Sequence, residues 1–245
     1  LVPVGATAAW WTVQERPSSW HAARWTSSGL LPAAGADGVA AVHVLAARTG
    51  GLKGALSVHS WIVVKKPGAA EYDRYDKVGW GSPIRRNGYA ADASWFSNNP
   101  WIVHSVTGAE AERLIPRIEA AIAAYPYARS GGYRLWPGPN SNSFIAYILE
   151  AVPGLGGQLP PNAVGRDFAP GLAAFRFEPG WLDVHATLGG LLGFAVGMRS
   201  GIEVHFLGLA AGIDILHPAL KIPAIGRVDL IWWGPAQSAS ISSSQ

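Results

Sequence analysis

Two short segments of this 245-residue chain hold side chains that could act on one another chemically. His59 lies in Leu56-Ser57-Val58-His59-Ser60-Trp61-Ile62-Val63-Val64, and Ser141 lies in Asn140-Ser141-Asn142-Ser143-Phe144-Ile145-Ala146-Tyr147-Ile148-Leu149. A serine hydroxyl becomes a useful nucleophile when a neighbouring base takes its proton, and imidazole is the base best matched to neutral pH. Asn140, Asn142 and Ser143 flank Ser141 as candidate binding residues. The backbone amides of Asn142 and Ser143, at a helix start, are candidate holders of an oxyanion. The group that would orient His59 is open among Asp73, Tyr75 and Asp76. A structural account fits the same residues: Ser and Asn are the preferred helix-capping types, and His59 could be a hydrogen-bonded core histidine.

The elements that must position these groups follow from pattern. β-branched and aromatic residues crowd 55–66, which reads as a strand ending at Lys65-Lys66-Pro67-Gly68 and paired through a Gly-rich connection with a strand over 38–47. Residues 71–79 and 101–106 read as further strands, and Arg85-Arg86-Asn87-Gly88 as turn chemistry. Thr107-Gly108-Ala109-Glu110 has the form of a capping box opening a helix with Leu114, Ile118 and Ile122 at four-residue spacing. Pro116 inside that helix predicts a kink or a break. A second helix starts near Ser141 and stops at Val152-Pro153-Gly154, with a loop over 155–170. From 184 to 216 the recurrent glycines favour strands over helix. The Ser-rich 236–245 reads as a mobile tail.

Composition narrows the function classes. Charged residues make up 14%, against about 25% in ordinary soluble domains. With 12 Trp, 30 Gly and 18 Pro, this predicts many turns and an apolar surface. The net charge of +3 comes without a clustered basic face beyond Lys65-Lys66 and Arg85-Arg86, so a nucleic-acid partner is not expected. There is no cysteine, which excludes disulfides, thiolate metal sites and a cysteine nucleophile. His43, His104, His185, His205 and His217 are scattered without zinc-site spacing, so no metal is expected. No cofactor is expected either. Gly154-Leu155-Gly156-Gly157 leads into Pro160-Pro161 rather than a helix, and no Gly-x-Ser-x-Gly elbow exists.

Leu1 to Trp11 carries no charge and ends in a Trp pair, the residue type favoured at a water–lipid boundary. Eleven residues fall short of the roughly 20 that span a bilayer in a helix. The expectation is the remainder of a signal or anchor segment, or an interfacial contact, followed by an extended arm over 12–38 that packs its indoles on the core.

The order of a histidine on a strand and an Asn-led apolar helix resembles the circularly permuted branch of the papain-like superfamily. That branch includes the NlpC/P60-related hydrolases and the lecithin-retinol acyltransferase group. His59 matches the catalytic histidine, Asn140 the asparagine and Phe144 the apolar residue after it, while Ser141 stands where the family has its cysteine. A thiol ionises near neutral pH and a hydroxyl does not, so this replacement makes a well-placed base indispensable. The whole chain also resembles a bacterial family of unknown function, typically preceded by a membrane-inserted segment. The residues carrying this are 25–32, 59–63, Trp136-Pro137-Gly138-Pro139-Asn140-Ser141-Asn142 and 218–223. The resemblance implies the periplasmic face of the cell envelope.

These readings converge on an α+β fold with an antiparallel sheet packed against a few helices, a permuted papain-like form of it being what the resemblance implies, and a Gly-rich C-terminal extension. The expected organisation is a membrane-proximal arm over 1–38, one domain over 39–235 and the tail. Two functions stay open. One is an envelope hydrolase or acyltransferase acting on an amide or ester in cell wall or lipid. The other is a non-catalytic accessory subunit docked on a membrane surface or membrane protein complex.

Overall fold

The computed structural model describes residues 2–178, 180 and 182–230; the Ser-rich tail lies outside the described residues. The chain opens with helix α1 (Val2–Thr12). Strands β1 (Ala41–Arg48), β2 (Val58–Lys65), β3 (Asp73–Lys77), β4 (Ile84–Arg86) and β5 (Trp101–Thr107) follow, then helices α2 (Gly108–Ala123) and α3 (Ser141–Ala151). Strands β6 (Ala173–Glu178), β7 (Asp183–Leu188), β8 (Leu192–Gly197), β9 (Gly201–Phe206), β10 (Leu209–Asp214), β11 (Ala219–Ile222) and β12 (Gly226–Asp229) complete it. The fold class is α+β, with two antiparallel sheets.

The first sheet has the order β4-β3-β2-β1-β5. Its two middle strands are apolar along both faces because both faces are covered. Val44, Ile62 and Val64 pack with Ile118 of α2 and Phe144 and Ile148 of α3. On the other face Leu45, Trp61 and Val63 pack with Trp95, and Trp25 of the N-terminal arm joins them, as an indole-bearing arm should.

Three local expectations are corrected. The capping box at Thr107 does not form: Thr107 is the last rung of β5, opposite Ala41, and its side chain makes no cap hydrogen bond. Gly108 turns the chain instead, with φ +69°, a conformation open to glycine. Pro116 does not divide α2, which runs unbroken. Pro116 and Glu112, the residue whose carbonyl loses its intrahelical partner, are both exposed, so water can satisfy that carbonyl. The turn expected at 85–88 begins as β4, which pairs with β3, and only then turns at Asn87 (φ 56°).

The C-terminal region is a single seven-stranded meander in chain order, β6 to β12. Alternation puts an apolar row on its outer face: Phe175 pairs with Ala186, Ala186 with Phe194, Phe194 with Val204 and Val204 with Ala211. The inner face carries the polar row. Buried Glu203 there accepts from Lys221 Nζ at 2.8 Å and from Arg166, and Asp214 pairs with Arg227. Gly193 and Gly197 of β8 make room for this row, since a side chain on either would collide with His205 or Asp183. Segment 156–170 stitches the two sheets together: Asn162 O accepts from the Val58 amide of β2 (3.3 Å), while Arg166 reaches Glu203, the Ala210 amide donates to Pro161 O (3.1 Å) and Asn162 donates to Ala224 O (3.3 Å).

Candidate active site

β2 is the central strand of its sheet, and α3 packs on it, so the expected neighbourhood of His59 and the Ser141 helix is present. The amide of Asn142 donates from Nδ2 to the carbonyl of Val58, the residue before His59, at 2.9 Å. A cavity of about 640 Å³ runs round this end of the sheet. His59, Lys77, Tyr133 and Ser141 border it. The rest of the wall is mainly apolar and aromatic, including Trp80, Trp136 and Phe206. Such a cavity, apolar with a few polar groups at one place, is the usual form of a small-molecule site.

Of the three candidates for orienting His59, Asp76 holds the position. His59 Nε2 donates to Asp76 Oδ1 at 2.8 Å, and Arg74 grips the same carboxylate through Nε (2.7 Å) and Nη2 (2.8 Å). Asp76 and Arg74 are fully buried. Burial alone would raise the Asp76 pKa, but the Arg74 charge and the hydrogen bonds from His59 and Arg74 prevail and hold it at about 2. With a carboxylate on Nε2, the neutral ring carries its proton there and leaves Nδ1 as the basic nitrogen. Burial lowers the His59 pKa, against the Asp76 hydrogen bond and charge, so the ring is neutral at pH 7 and able to take a proton. Trp95 stacks on it with centroids 3.7 Å apart and planes within 5°.

The two expected catalytic residues approach the cavity from different faces of the sheet. Side chains alternate along a strand, and His59 shares the parity of Trp61 and Val63, which belong to the aromatic cluster. Ser141 starts a helix that packs on the opposite face, with Ile62 and Val64. No hydrogen bond joins His59 to Ser141 among the described residues. The Ser141 hydroxyl interacts with Tyr133: burial raises the phenol's pKa, against the hydrogen bond with Ser141 that lowers it.

The candidate binding residues hold the helix end together. Asn140 is the N-cap, and its Oδ1 accepts from the amides of Asn142 (2.9 Å) and Ser143 (3.1 Å). Ser143 Oγ donates to Gly165 O at 2.6 Å and completes a capping box with the Asn140 amide. The two amides expected to hold an oxyanion are therefore already bonded. Among the described residues the Ser141 amide makes no hydrogen bond, and it, the Tyr133 hydroxyl and the Lys77 ammonium are donors at this part of the cavity.

Lys77 and Tyr133 are site residues that pattern reading passes over. Lys77 is buried, its Nζ donates to Tyr127 O at 2.8 Å, and burial pushes its pKa down to about 8. Its only sequence signal is parity: Ile62 pairs with Tyr75, so Tyr75 and Lys77 face the helices while Asp76 faces the aromatic cluster.

Two groups on the inner face of the seven-stranded sheet have ligand atoms within 4.8 Å of one another: Asp167, Glu203 and His205, and Glu178, Asp183 and His185. Glu203 is already neutralised by Arg166 and Lys221, and Glu178 by Arg199, so a metal ion would compete with resident cations.

Fold and site thus define an α+β protein of two antiparallel sheets with an apolar cavity that carries a short polar segment. The family described as "Protein of unknown function (DUF3750)" matches residues 39–168, over half of the chain, and the chain belongs to it. That agrees with the whole-chain resemblance to a family of unknown function, and the match includes His59, Asp76 and Ser141. No curated protein matches the chain, and no solved structure does. No helix among the described residues is long and apolar enough to cross a membrane.

Proposed function

We propose that this protein is an acyl hydrolase or acyltransferase of the bacterial cell envelope, with Ser141 as nucleophile and the His59–Asp76 pair as base. The observation that carries this reading is that one cavity is bordered by both Ser141 and a histidine oriented by a buried carboxylate. The apolar wall suits the acyl chain of an ester or amide and favours a lipid over a cell-wall peptide. Ser141 Oγ attacks the acyl carbonyl carbon while its proton passes to His59 Nδ1. The leaving group departs with that proton, and water or an acceptor hydroxyl then releases the acyl group. The Ser141 amide and Tyr133 hydroxyl supply the oxyanion donors. His59 and Ser141 close to hydrogen-bond distance only with substrate in place, as catalytic contacts often do. The order of a strand histidine before a helix-opening serine resembles that of the permuted papain-like enzymes, with serine for cysteine. Location at the periplasmic face of a membrane belongs to the same reading, supported by the resemblance and the uncharged α1.

A second reading, a non-catalytic accessory subunit on a membrane complex, draws on the missing His59–Ser141 hydrogen bond and the capped Asn142 and Ser143 amides. Labelling with a long-chain fluorophosphonate, mapped by mass spectrometry, separates the two. The enzyme reading expects the label on Ser141, with the labelling rate reduced roughly 10²–10⁴-fold in His59→Ala. An unlabelled Ser141 across probes of several chain lengths leaves it as the first residue of a capped helix and favours the accessory role.

A further inference from the structure

The outward positions of the seven-stranded sheet carry no polar side chain. The row from Phe175 to Ala211 has equivalents on either side, with Val184 opposite Val196, Val196 opposite Ile202, and Leu192 opposite Phe206. Phe175 is 70% exposed, Val204 58% and Phe206 64%. An isolated exposed apolar residue needs no explanation, but an uninterrupted apolar face does. From strand rise and spacing this face measures roughly 20 by 30 Å.

Two observations say what covers it. The face continues into the cavity of the candidate site, because Val204, Phe206, Leu209 and Ala211 belong to both. Helix α1 reaches the same cavity through Val4, and it is uncharged, apolar on every side and largely exposed. A helix apolar all round finds its surroundings in hydrocarbon, whereas a second copy docked on the flat sheet would leave most of it in water. We infer that the outer face of β6–β10, together with α1, is a lipid-contacting surface that seats the protein on one leaflet of a bilayer and opens the cavity to the acyl region. The sheet lies flat on that leaflet rather than spanning it. Among the described residues β6 and β12 are its edge strands, with backbone groups that hydrocarbon cannot satisfy, and Arg176, Arg227 and Asp229 on the inner face of those edges remain in water. This rests on the proposed function for the use of the cavity, but the surface itself is tested without catalysis.

The absence of cysteine permits single-site labelling. In the Ser141→Ala background, Phe194→Cys on the face and Glu112→Cys on the exposed side of α2 would each carry an environment-sensitive fluorophore. They would be mixed with vesicles of phosphatidylcholine alone, at low salt and at about 0.5 M salt, where electrostatic attachment is screened. The expected result is a blue shift at position 194 that persists in high salt, none at position 112, and at least tenfold weaker vesicle binding after Val204→Asp. No shift at 194, equal shifts at both positions, or binding indifferent to Val204→Asp would overturn the inference. So would a stable dimer without lipid in which the 194 label is already shielded, since a second copy would then be the occupant. Should Val204→Asp fail to fold, the pair of labels still decides.

Discussion

In the five-stranded sheet, β1 and β2 turn apolar side chains towards helices on one face and indoles on the other, and Arg74 and Asp76, buried charges of the neighbouring β3, sit in one network with His59. In the seven-stranded sheet the arrangement is reversed. Apolar side chains point out, and Glu203, Lys221, Asp183 and His205 are buried on the side facing the rest of the protein. Both sheets obey the same two-residue period. They differ in what surrounds them, and the contrast teaches that alternation establishes two faces without saying which is the inside. In the lipid-contacting arrangement inferred for it, the seven-stranded sheet turns its apolar outer face to hydrocarbon.

The contrast is broken most directly at Glu203. It is the shared partner of Arg166 and Lys221, so Glu203→Ala leaves Lys221 buried without its counter-charge and Arg166 with Asp167 at 3.5 Å in place of the pair it had. Removing one partner of a buried ion pair costs about 3–5 kcal/mol, far more than the net worth of the pair. Denaturant unfolding should therefore show a lower midpoint by that amount, with the isosteric Glu203→Gln also destabilised because the charge is gone. A change below about 1 kcal/mol would mean that the inner polar face is wetter than its burial indicates.

What could be read in advance follows the same division. The strands around His59 and the helix from Ser141 are visible because β-branched runs, an Asn-x-x-Ser cap and a four-residue apolar stripe are local signals. The orienting residue is not local. Asp73 and Asp76 are alike in sequence, and the register that pairs Val64 with Asp73 leaves Asp73 to Arg86 at the exposed side and gives Asp76 to His59. Parity also carried the warning that His59 and Ser141 lie on different faces, since His59 alternates in step with Trp61 rather than with Ile62. Thr107 fails as a cap because strand pairing with Ala41 claims it first, a tertiary competition that the four-residue motif does not contain. Strands were legible within 184–216, but not their inside-out sense, because nothing in a short alternating segment names its solvent.

Acid titration sharpens the comparison, for each sheet holds a histidine with the same shift, His43 buried and His185 half-buried. His43 in β1 is pushed down to about 4 by burial and then by the Lys65 charge. His185 in β7 is pushed to about 4 by burial and then by Arg176, against Asp183, Asp167 and Glu203. Above pH 6.5 both rings are neutral whether the chain is folded or not, and their contribution is fully present. As pH falls from 6.5 to 4, the unfolded chain binds protons that the folded one refuses, so stability is lost across that window. Each ring accounts for about 3 kcal/mol at full development. Unfolding midpoints measured between pH 7 and 4 should fall, and His43→Gln and His185→Gln should each flatten the slope. A slope unchanged by His185→Gln would show that the inner face of the seven-stranded sheet admits a proton that the five-stranded sheet excludes.

The smallest expected effect lies on the outer face. Val204 on β9 is largely exposed, and its cross-strand neighbours Phe194 and Ala211 are on the same outward side. Exchanging one methyl for a hydroxyl at an exposed position on a strand keeps the β-branched shape and buries no unpaired polar group. Val204→Thr should therefore change unfolding free energy in water by no more than about 0.5 kcal/mol. The same exchange at Val44 on β1, which is 1% exposed, puts a hydroxyl into the helix-covered core and should cost about 1–3 kcal/mol. The pair of measurements isolates burial from strand preference, since the chemistry of the exchange is identical. If Val204→Thr proved as costly as Val44→Thr in water, the outer face would already be covered in the isolated protein, and the difference between the two sheets would vanish.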